Sequence, residues 1–542
     1  MNSGTETGVV QAVQADRPMA DKPVADIALL LEGTYPYVRG GVSAWVHQII
    51  SGLPEISFAV IFIGGDQKMY GPAQYQFPSN VTHVETHYLL RPTKLSKASA
   101  RKGNRRAFSE MAELHAHIRQ SAQLSGEEII SAFSRLGSAE GVSEEDFLYS
   151  EASWDYITHQ YRERCTEPSF VDYFWAIRAM HAPLFILADI AAKLPPVKAV
   201  HAISTGYAGL LGAMIRLQRG IPFVLTEHGI YTKERKIDLA QATWIHDHSD
   251  DVCNTLHDEM GYIRGLWIKF YEQIGRMAYA QASPIVSLYE GNRLRQIADG
   301  AAPEKTRVIT NGINLQRYQA ALEKRPDGIP PILGLIGRVV PIKDIKTFIR
   351  TMRMLVNERT DAQGWIVGPE DEDPSYVNEC KELVASLGLK DHVKFLGFQN
   401  VAEILPQLGL MVLTSISEAL PLVVLEAFAS GVPCLATDVG SCRELIEGNS
   451  EGDRALGAAG SVVFIADPEG AAKAALELLN NAMRWRAAQR AGLERVKRYY
   501  DDKLMFSSYR DLYVQALRDA PGGIPGGAPQ PPASPTSLTI QE

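Results

Sequence analysis

The sequence predicts an α/β protein built as two Rossmann-like domains in series, facing each other across a cleft. Short apolar runs alternate with helical patterns along the chain, which is how parallel sheets covered by helices are encoded. The pattern breaks near residues 322–329, at Lys324-Arg-Pro-Asp-Gly328, and restarts at Pro331-Ile-Leu-Gly-Leu-Ile-Gly337. The length of 542 residues also exceeds the roughly 250–300 at which a single core stops growing.

In the first unit, residues 25–325, strand-like runs fall at 27–31, 58–63, 199–203, 223–226, 285–288 and 308–309. The second, residues 326–500, opens with the run after Pro331 and continues at 365–367, 393–395, 411–414, 433–436 and 462–464. Residues 95–165 interrupt the first unit with a polar, mostly helical pattern longer than an ordinary connection, so a helical insertion is expected there. A last helical segment, 501–519, has the length to cross back to the first unit. The tail 1–24 is polar and aperiodic, and 520–542 is rich in Pro and Gly; both read as disordered.

Composition excludes several classes. A net charge of -9 argues against a nucleic-acid binder. The five cysteines (Cys165, Cys253, Cys380, Cys434, Cys442) are scattered with no C-x-x-C pair. That suggests neither a disulfide framework nor a zinc site, and points to a reducing cytoplasm. The first 22 residues lack the basic start and apolar run of a signal peptide. No uncharged apolar stretch of about 18 residues occurs, so no transmembrane helix is expected.

Chemistry concentrates in Glu418-Ala-Leu-Pro-Leu-Val-Val-Leu-Glu426. The run before it reads as a buried strand and residues 422–429 as the following helix. Glu418 then lies in the strand-to-helix loop and Glu426 about a turn into the helix. The N–H groups of Leu422 and Val423, at the helix N-terminus, suit a phosphate. The two carboxylates suit sugar hydroxyls. An acidic residue in an apolar helix start is costly unless it is paired or used.

Gly337-Arg338-Val-Val-Pro-Ile-Lys343-Asp344 places a planar cationic fork and a compact ammonium in one loop after a buried strand. Both suit a diphosphate. Glu32-Gly-Thr-Tyr-Pro-Tyr-Val-Arg-Gly40-Gly41-Val-Ser-Ala-Trp45 follows the first strand, and its Gly pair would let backbone approach a ligand closely. Thr226-Glu-His228-Gly-Ile-Tyr231 ends another strand, on the edge where open α/β sheets bind ligands. His228 is its main candidate, with Glu227 and Tyr231 behind it. Asn311-Gly312-Ile313-Asn314 reads as a structural turn.

Three charged segments are given plain roles. Asp371-Glu372-Asp373 matches a metal-binding pattern but sits in a hydrophilic loop before Pro374, and His246-Asp-His248-Ser-Asp250-Asp251 reads as a solvated turn. Lys94, Lys97, Arg101, Lys102 and Arg105, without an intervening acid, read as a solvated loop rather than a contact for anionic lipid or an acidic partner.

These motifs resemble those of retaining, nucleotide-sugar-dependent glycosyltransferases of family 4, which have the GT-B fold. Glu418 to Glu426 matches the family's E-x7-E. The run from Gly337 to Asp344 matches its G-R-x4-K-[DG] clamp, and Asn311 to Asn314 its N-G-[IV]-[DN] turn. The start, 29–45, and the polar insertion are similar to the branch of that family serving bacterial Pel exopolysaccharide synthesis.

The resemblance implies a metal-independent hexosyltransferase using a UDP-sugar, UDP-N-acetylgalactosamine or UDP-glucose, and a polysaccharide acceptor. It implies no cofactor and a place in the cytoplasm, peripheral at the inner membrane beside Pel proteins. Arg338, Lys343 and the helix N-terminus would hold the diphosphate. Glu426 would hold the ribose, Glu418 the donor sugar, and His228 would lie near the reacting face. The uracil would meet backbone at 396–399, around Phe398. Pro421, where many relatives have Gly, and Gly440-Ser441, where a double Gly is frequent, depart from the pattern. An idle nucleotide-binding scaffold of a membrane synthase complex and a GT-B UDP-sugar epimerase are the alternatives.

Overall fold

The computed structural model describes residues 23–90, 101–120, 141–165, 169–242 and 261–521. The tail to residue 22, the basic stretch up to residue 100, the acidic and histidine cluster 246–251 and the tail from 522 lie outside them.

The first sheet holds β1 (Ala25–Glu32), β2 (Phe58–Asp66), β3 (Val81–Leu90), β4 (Val197–Ala202), β5 (Phe223–Glu227), β6 (Ile285–Ser287) and β7 (Thr306–Val308). Their order is β3-β2-β1-β4-β5-β6-β7, every pairing parallel. The second holds β8 (Ile332–Ile336), β9 (Gln363–Val367), β10 (Val393–Gly397), β11 (Leu410–Leu413), β12 (Cys434–Thr437) and β13 (Gly460–Val463). Its order is β10-β9-β8-β11-β12-β13, also parallel. The chain is thus two Rossmann-like domains of the GT-B kind.

Most strands are the short apolar runs seen in the sequence, because a parallel strand is covered on both faces. β3 is not. It is an edge strand of half-buried residues in which His83, Glu85 and His87 alternate with Val84 and Thr86, so no apolar run marks it. The expected strand at 308–309 is found slightly earlier, at β7.

Each sheet is covered on both faces. Helices Tyr207–Arg219 and Tyr262–Gln281 bury one side of the first. Helices Gly41–Gly52 and Asp502–Arg518 bury the other, with Trp45, Tyr509 and Tyr513 packed against Leu29 and Val224. The chain therefore crosses between domains twice, and the crossings are laced together. Ile313 N–H donates to Tyr500 O (2.9 Å) and Asp502 N–H to Ile313 O (3.1 Å). At Gly312 a Cβ would lie 2.4 Å from the Asp502 Cα, so glycine is needed there for close approach.

Within 95–165, helices Arg105–Gln120, Glu144–Tyr149 and Glu151–Arg164 are described, the last two packing on Phe170–Lys193. Among the described residues, Phe170–Lys193 is the helix long and apolar enough to cross a membrane. It instead places Leu184, Leu187, Ile190 and Ala191 in the core of the first domain, which accounts for its apolarity.

Candidate active site

Both sheets reverse direction of strand addition at one place, between β1 and β4 and between β8 and β11. Ligands of open α/β sheets bind outside the carboxyl ends of strands at such points. The loop 337–344 follows β8 and the loop 414–421 follows β11, so two separate motifs meet there.

They are bonded to each other. Ile416 N–H donates to Ile342 O (2.9 Å), and Thr414 Oγ1 donates to Lys343 O (3.1 Å) and Asp344 O (2.9 Å). Asp344 has φ +43 and caps helix Ile345–Glu358 through the Thr347 N–H. A non-glycine residue in that region costs about 1–2 kcal/mol, and the cap and the Thr414 bond hold it.

Lys343 Nζ donates to Glu418 Oε1 at 2.5 Å, and Ser415 Oγ donates to the same oxygen at 2.6 Å. Helix Leu422–Ala429 then begins after Pro421 with no side-chain cap, so its N-terminus is left to a ligand or solvent. Within this helix Glu426 Oε1 accepts from the Tyr318 hydroxyl at 2.7 Å. Burial pushes the Glu426 carboxyl up, and the Tyr318 bond works against that.

Arg338 is exposed, and its Nη1 donates to both carboxylate oxygens of Glu372, at 2.7 and 2.6 Å. The acidic loop 371–373 thus has local duties. Glu372 holds Arg338, and Asp373 accepts the Tyr376 N–H to cap helix Pro374–Ser386. Phe398 stands at the end of β10 with 79% of its surface exposed.

Gly440 packs on the acidic motif. Its φ is +55, and a Cβ there would lie 2.3 Å from Glu418 O and 2.5 Å from Ala419 O. Ser441 N–H donates to Ala419 O at 2.9 Å. Only glycine lets this turn approach the loop that carries Glu418.

On the first domain, Gly40 and Gly41 open helix Gly41–Gly52, are exposed, and have no heavy atom within 4 Å of a built Cβ. Packing does not demand glycine at either position. His228 is 8% exposed, edge-on to Trp45 with ring centroids 4.6 Å apart. Burial holds its imidazole at about 3, hence neutral near pH 7, and its Nε2 is buried without a hydrogen-bond partner. Glu227 is fully buried and accepts from Thr205 (2.8 Å), Tyr279 (2.6 Å) and Gln296 (3.0 Å), so it braces β5. Tyr231 donates to Glu32 Oε1 at 2.9 Å.

The structure thus gathers Arg338, Lys343, Glu418, Leu422, Val423 and Glu426 at one switch point, and Gly40, Gly41 and His228 at the carboxyl edge of the other sheet. Sequence reading missed Ser415, Tyr318 and the pairing of Glu372. Ser415 sits three residues before Glu418 and was findable; Tyr318 is 108 residues from Glu426 and carries no local signal.

Residues 330–481 match the family described as Glycosyl transferases group 1. Among curated relatives, the N-acetyl-alpha-D-glucosaminyl L-malate synthase of Bacillus anthracis is 33% identical over 193 residues, 35% of this chain and 47% of the relative. The lipopolysaccharide core mannosyltransferase LpsB of Rhizobium meliloti is 32% identical over 221 residues, 39% and 61% respectively. The chain therefore spans about half of the first and 61% of the second.

Among solved structures, Anabaena Alr3699/HepE in complex with UDP and glucose aligns over 90% of this chain and 100% of its own, with TM-score 0.54 and 14% identity. The sucrose-phosphate synthase of Thermosynechococcus elongatus aligns over 90% and 98%, with TM-score 0.54 and 16% identity. These likenesses establish the GT-B fold. Residues 25–304 of the 542 match one further family, and on that match the chain belongs to the family described as Domain of unknown function (DUF3492).

Proposed function

We propose that this chain is a retaining, metal-independent hexosyltransferase of the PelF type. It takes a UDP-sugar, UDP-N-acetylgalactosamine or UDP-glucose, and extends a bacterial exopolysaccharide of the Pel class. The observation that carries the reading is the meeting of Lys343 and Glu418 beside the uncapped helix start at Leu422. A cation, an uncapped helix N-terminus and a hydroxyl-accepting carboxylate stand where a sugar diphosphate has its phosphates and its hexose. The HepE structure is a complex with UDP and glucose, in line with the same donor class.

In the proposed reaction the bond from the anomeric carbon to the β-phosphate oxygen breaks. A bond from the acceptor hydroxyl oxygen forms on the same face of the ring. The acceptor proton passes to the departing phosphate. Lys343, Arg338 and the N–H groups of Leu422 and Val423 stabilise the charge that builds on UDP, so the positive charge comes from the chain itself. Arg338 exchanges Glu372 for phosphate, and Lys343 shares itself between phosphate and Glu418. Glu426, oriented by Tyr318, accepts the ribose hydroxyls. Phe398 lies beside the uracil. Neutral His228 lies near the donor's reacting face, and the backbone of Gly40 and Gly41 approaches a phosphate or the acceptor. The enzyme works without a cofactor on the cytoplasmic side, beside inner-membrane Pel proteins.

The test is calorimetric titration with UDP, ADP and GDP in EDTA, repeated on Lys343→Ala and Glu426→Ala. Binding selective for UDP that collapses in both variants supports the reading. No UDP binding, or binding indifferent to both substitutions, overturns the motif assignment and puts the idle scaffold first.

A further inference from the structure

The insertion's helices and helix Phe170–Lys193 build a cavity remote in sequence from the switch-point loops. It measures about 260 Å³ and is lined by Tyr149, Glu151, Trp154, Phe174 and Arg178, among others. A cavity this small falls below the roughly 300–1,000 Å³ of drug-sized pockets, so it suits one ring rather than a nucleotide.

Its walls are unusual for a surface. Trp154 is 53% exposed and the adjoining Trp175 61%. Large aromatics left this open on neighbouring helices mark an interaction site. The guanidinium of Arg178 lies over Phe174 (5.0 Å) and Trp175 (5.7 Å). Among the described residues it has no ion pair or hydrogen bond. Arg178 is half-buried, and that burial lowers its basicity, while its N–H groups are left for a ligand or solvent. The carboxylate of Glu151 is exposed at the same cavity.

We infer that this cavity is a glycan-holding site that takes one sugar ring of the polysaccharide chain. Aromatic faces receive the apolar C–H face of a pyranose, and Arg178 and Glu151 donate to and accept from its hydroxyls or amide. The naming of a glycan rests on the function proposed above. The charge argues against an anionic membrane surface instead. Glu145 and Glu151 are exposed on these helices, and Arg101 and Arg105 are paired with Glu145 and Asp155, so among the described residues the charge near the aromatics is mixed rather than a basic patch. A second site on a growing chain raises its effective concentration at the transfer centre without new contacts there.

The full chain is titrated with N-acetylgalactosamine oligomers, with glucose oligomers alongside, by tryptophan fluorescence and calorimetry. Trp154→Ala and Arg178→Gln are titrated likewise, and each protein is also titrated with UDP. Oligomer binding that weakens more than tenfold in both variants, with UDP affinity unchanged, is the expected result. Arg178→Gln keeps the helices' packing and so guards against a folding defect in Trp154→Ala. UDP binding without oligomer binding, or oligomer binding indifferent to both variants, overturns the site while leaving the transferase reading standing. Trp154-dependent binding to anionic phospholipid vesicles, with no oligomer binding, overturns it in favour of a membrane contact. Absence of UDP binding, by contrast, counts against the proposed function and not against a glycan site that still titrates.

Discussion

Lys343 and Glu418, 75 residues apart, form an ion pair of 2.5 Å with side chains only 20% and 12% exposed. Each therefore satisfies the other, and under the proposed function a sugar diphosphate draws Lys343 partly away. The two residues should fail differently when changed. Lys343→Ala removes a charged donor and leaves Glu418 with Ser415. UDP affinity should fall roughly 10- to 100-fold, the loss of one charge-assisted bond. Glu418→Gln releases Lys343 for phosphate, so UDP should bind as well or better while turnover falls. Paired calorimetry and product assays read both. Equal loss of UDP affinity in the two variants would sink the division of roles.

Gly440 offers a steric test of the same loop. Its Cβ would lie 2.3 Å from Glu418 O at φ +55, whereas Gly457, at φ +86, has open space around its Cβ. Alanine at either position pays a backbone cost of about 1–2 kcal/mol. Only Gly440→Ala should also push the Glu418 loop. Thermal unfolding should show comparable backbone costs, with a further loss at Gly440. UDP-sugar turnover should collapse in Gly440→Ala and persist in Gly457→Ala.

His228 predicts a pH dependence. Its folded value near 3 lies below the ordinary 6.5 because burial opposes the charged ring. The unfolded chain therefore binds the proton first as pH falls. The stability held by neutral His228 is complete above about 6.5 and is lost progressively below it, toward 3. Between pH 6.5 and 5 the loss is about 2 kcal/mol. Buried carboxyls whose values are raised, such as Glu227 and Glu32, change stability in the opposite sense. The clean readout is thus a difference: urea unfolding at pH 7.5 and pH 5 for wild type and His228→Gln. Wild type should lose about 2 kcal/mol more than the variant; His201, which burial and to a lesser degree His228 hold at about 3, remains in both. Identical pH profiles would mean that the ring is solvated.

Much of this was legible in the chain, for a physical reason. A parallel strand buried on both faces must be a short apolar run, as at β8 and β12, and a loop that sets Arg338 and Lys343 soon after such a strand stands out in the sequence. What escaped was whatever depends on a partner brought from afar. β3 has a neighbour on one side only and keeps polar His83, Glu85 and His87, so it carries no apolar run. Tyr318 and Glu372 are ordinary surface-type residues until folding sets them against Glu426 and Arg338. The helix Asp502–Arg518 shows its apolar face, Met505, Tyr509, Leu512, Tyr513 and Ala516, at helical spacing. Nothing in that spacing says which sheet it covers.

The same helix gives the last prediction. Tyr513 is fully buried and its hydroxyl is hydrogen-bonded to His201 Nδ1 at 2.8 Å, while His201 Nε2 meets Thr226 Oγ1 at 2.8 Å. A residue from the end of the chain thus completes a polar network inside the first sheet, beside Trp45 and His228. Tyr513→Phe keeps the ring and removes the partner, leaving a buried ring nitrogen unpaired, at a cost of about 1–3 kcal/mol. Because the damage falls on the first domain, hydrogen exchange should rise in β4 and β5 and stay unchanged in β8 to β13. UDP affinity, which the proposed function assigns to the second domain, should be preserved. Loosening confined to the second domain would mean that the crossing helix belongs energetically to the half it leaves rather than to the half it covers.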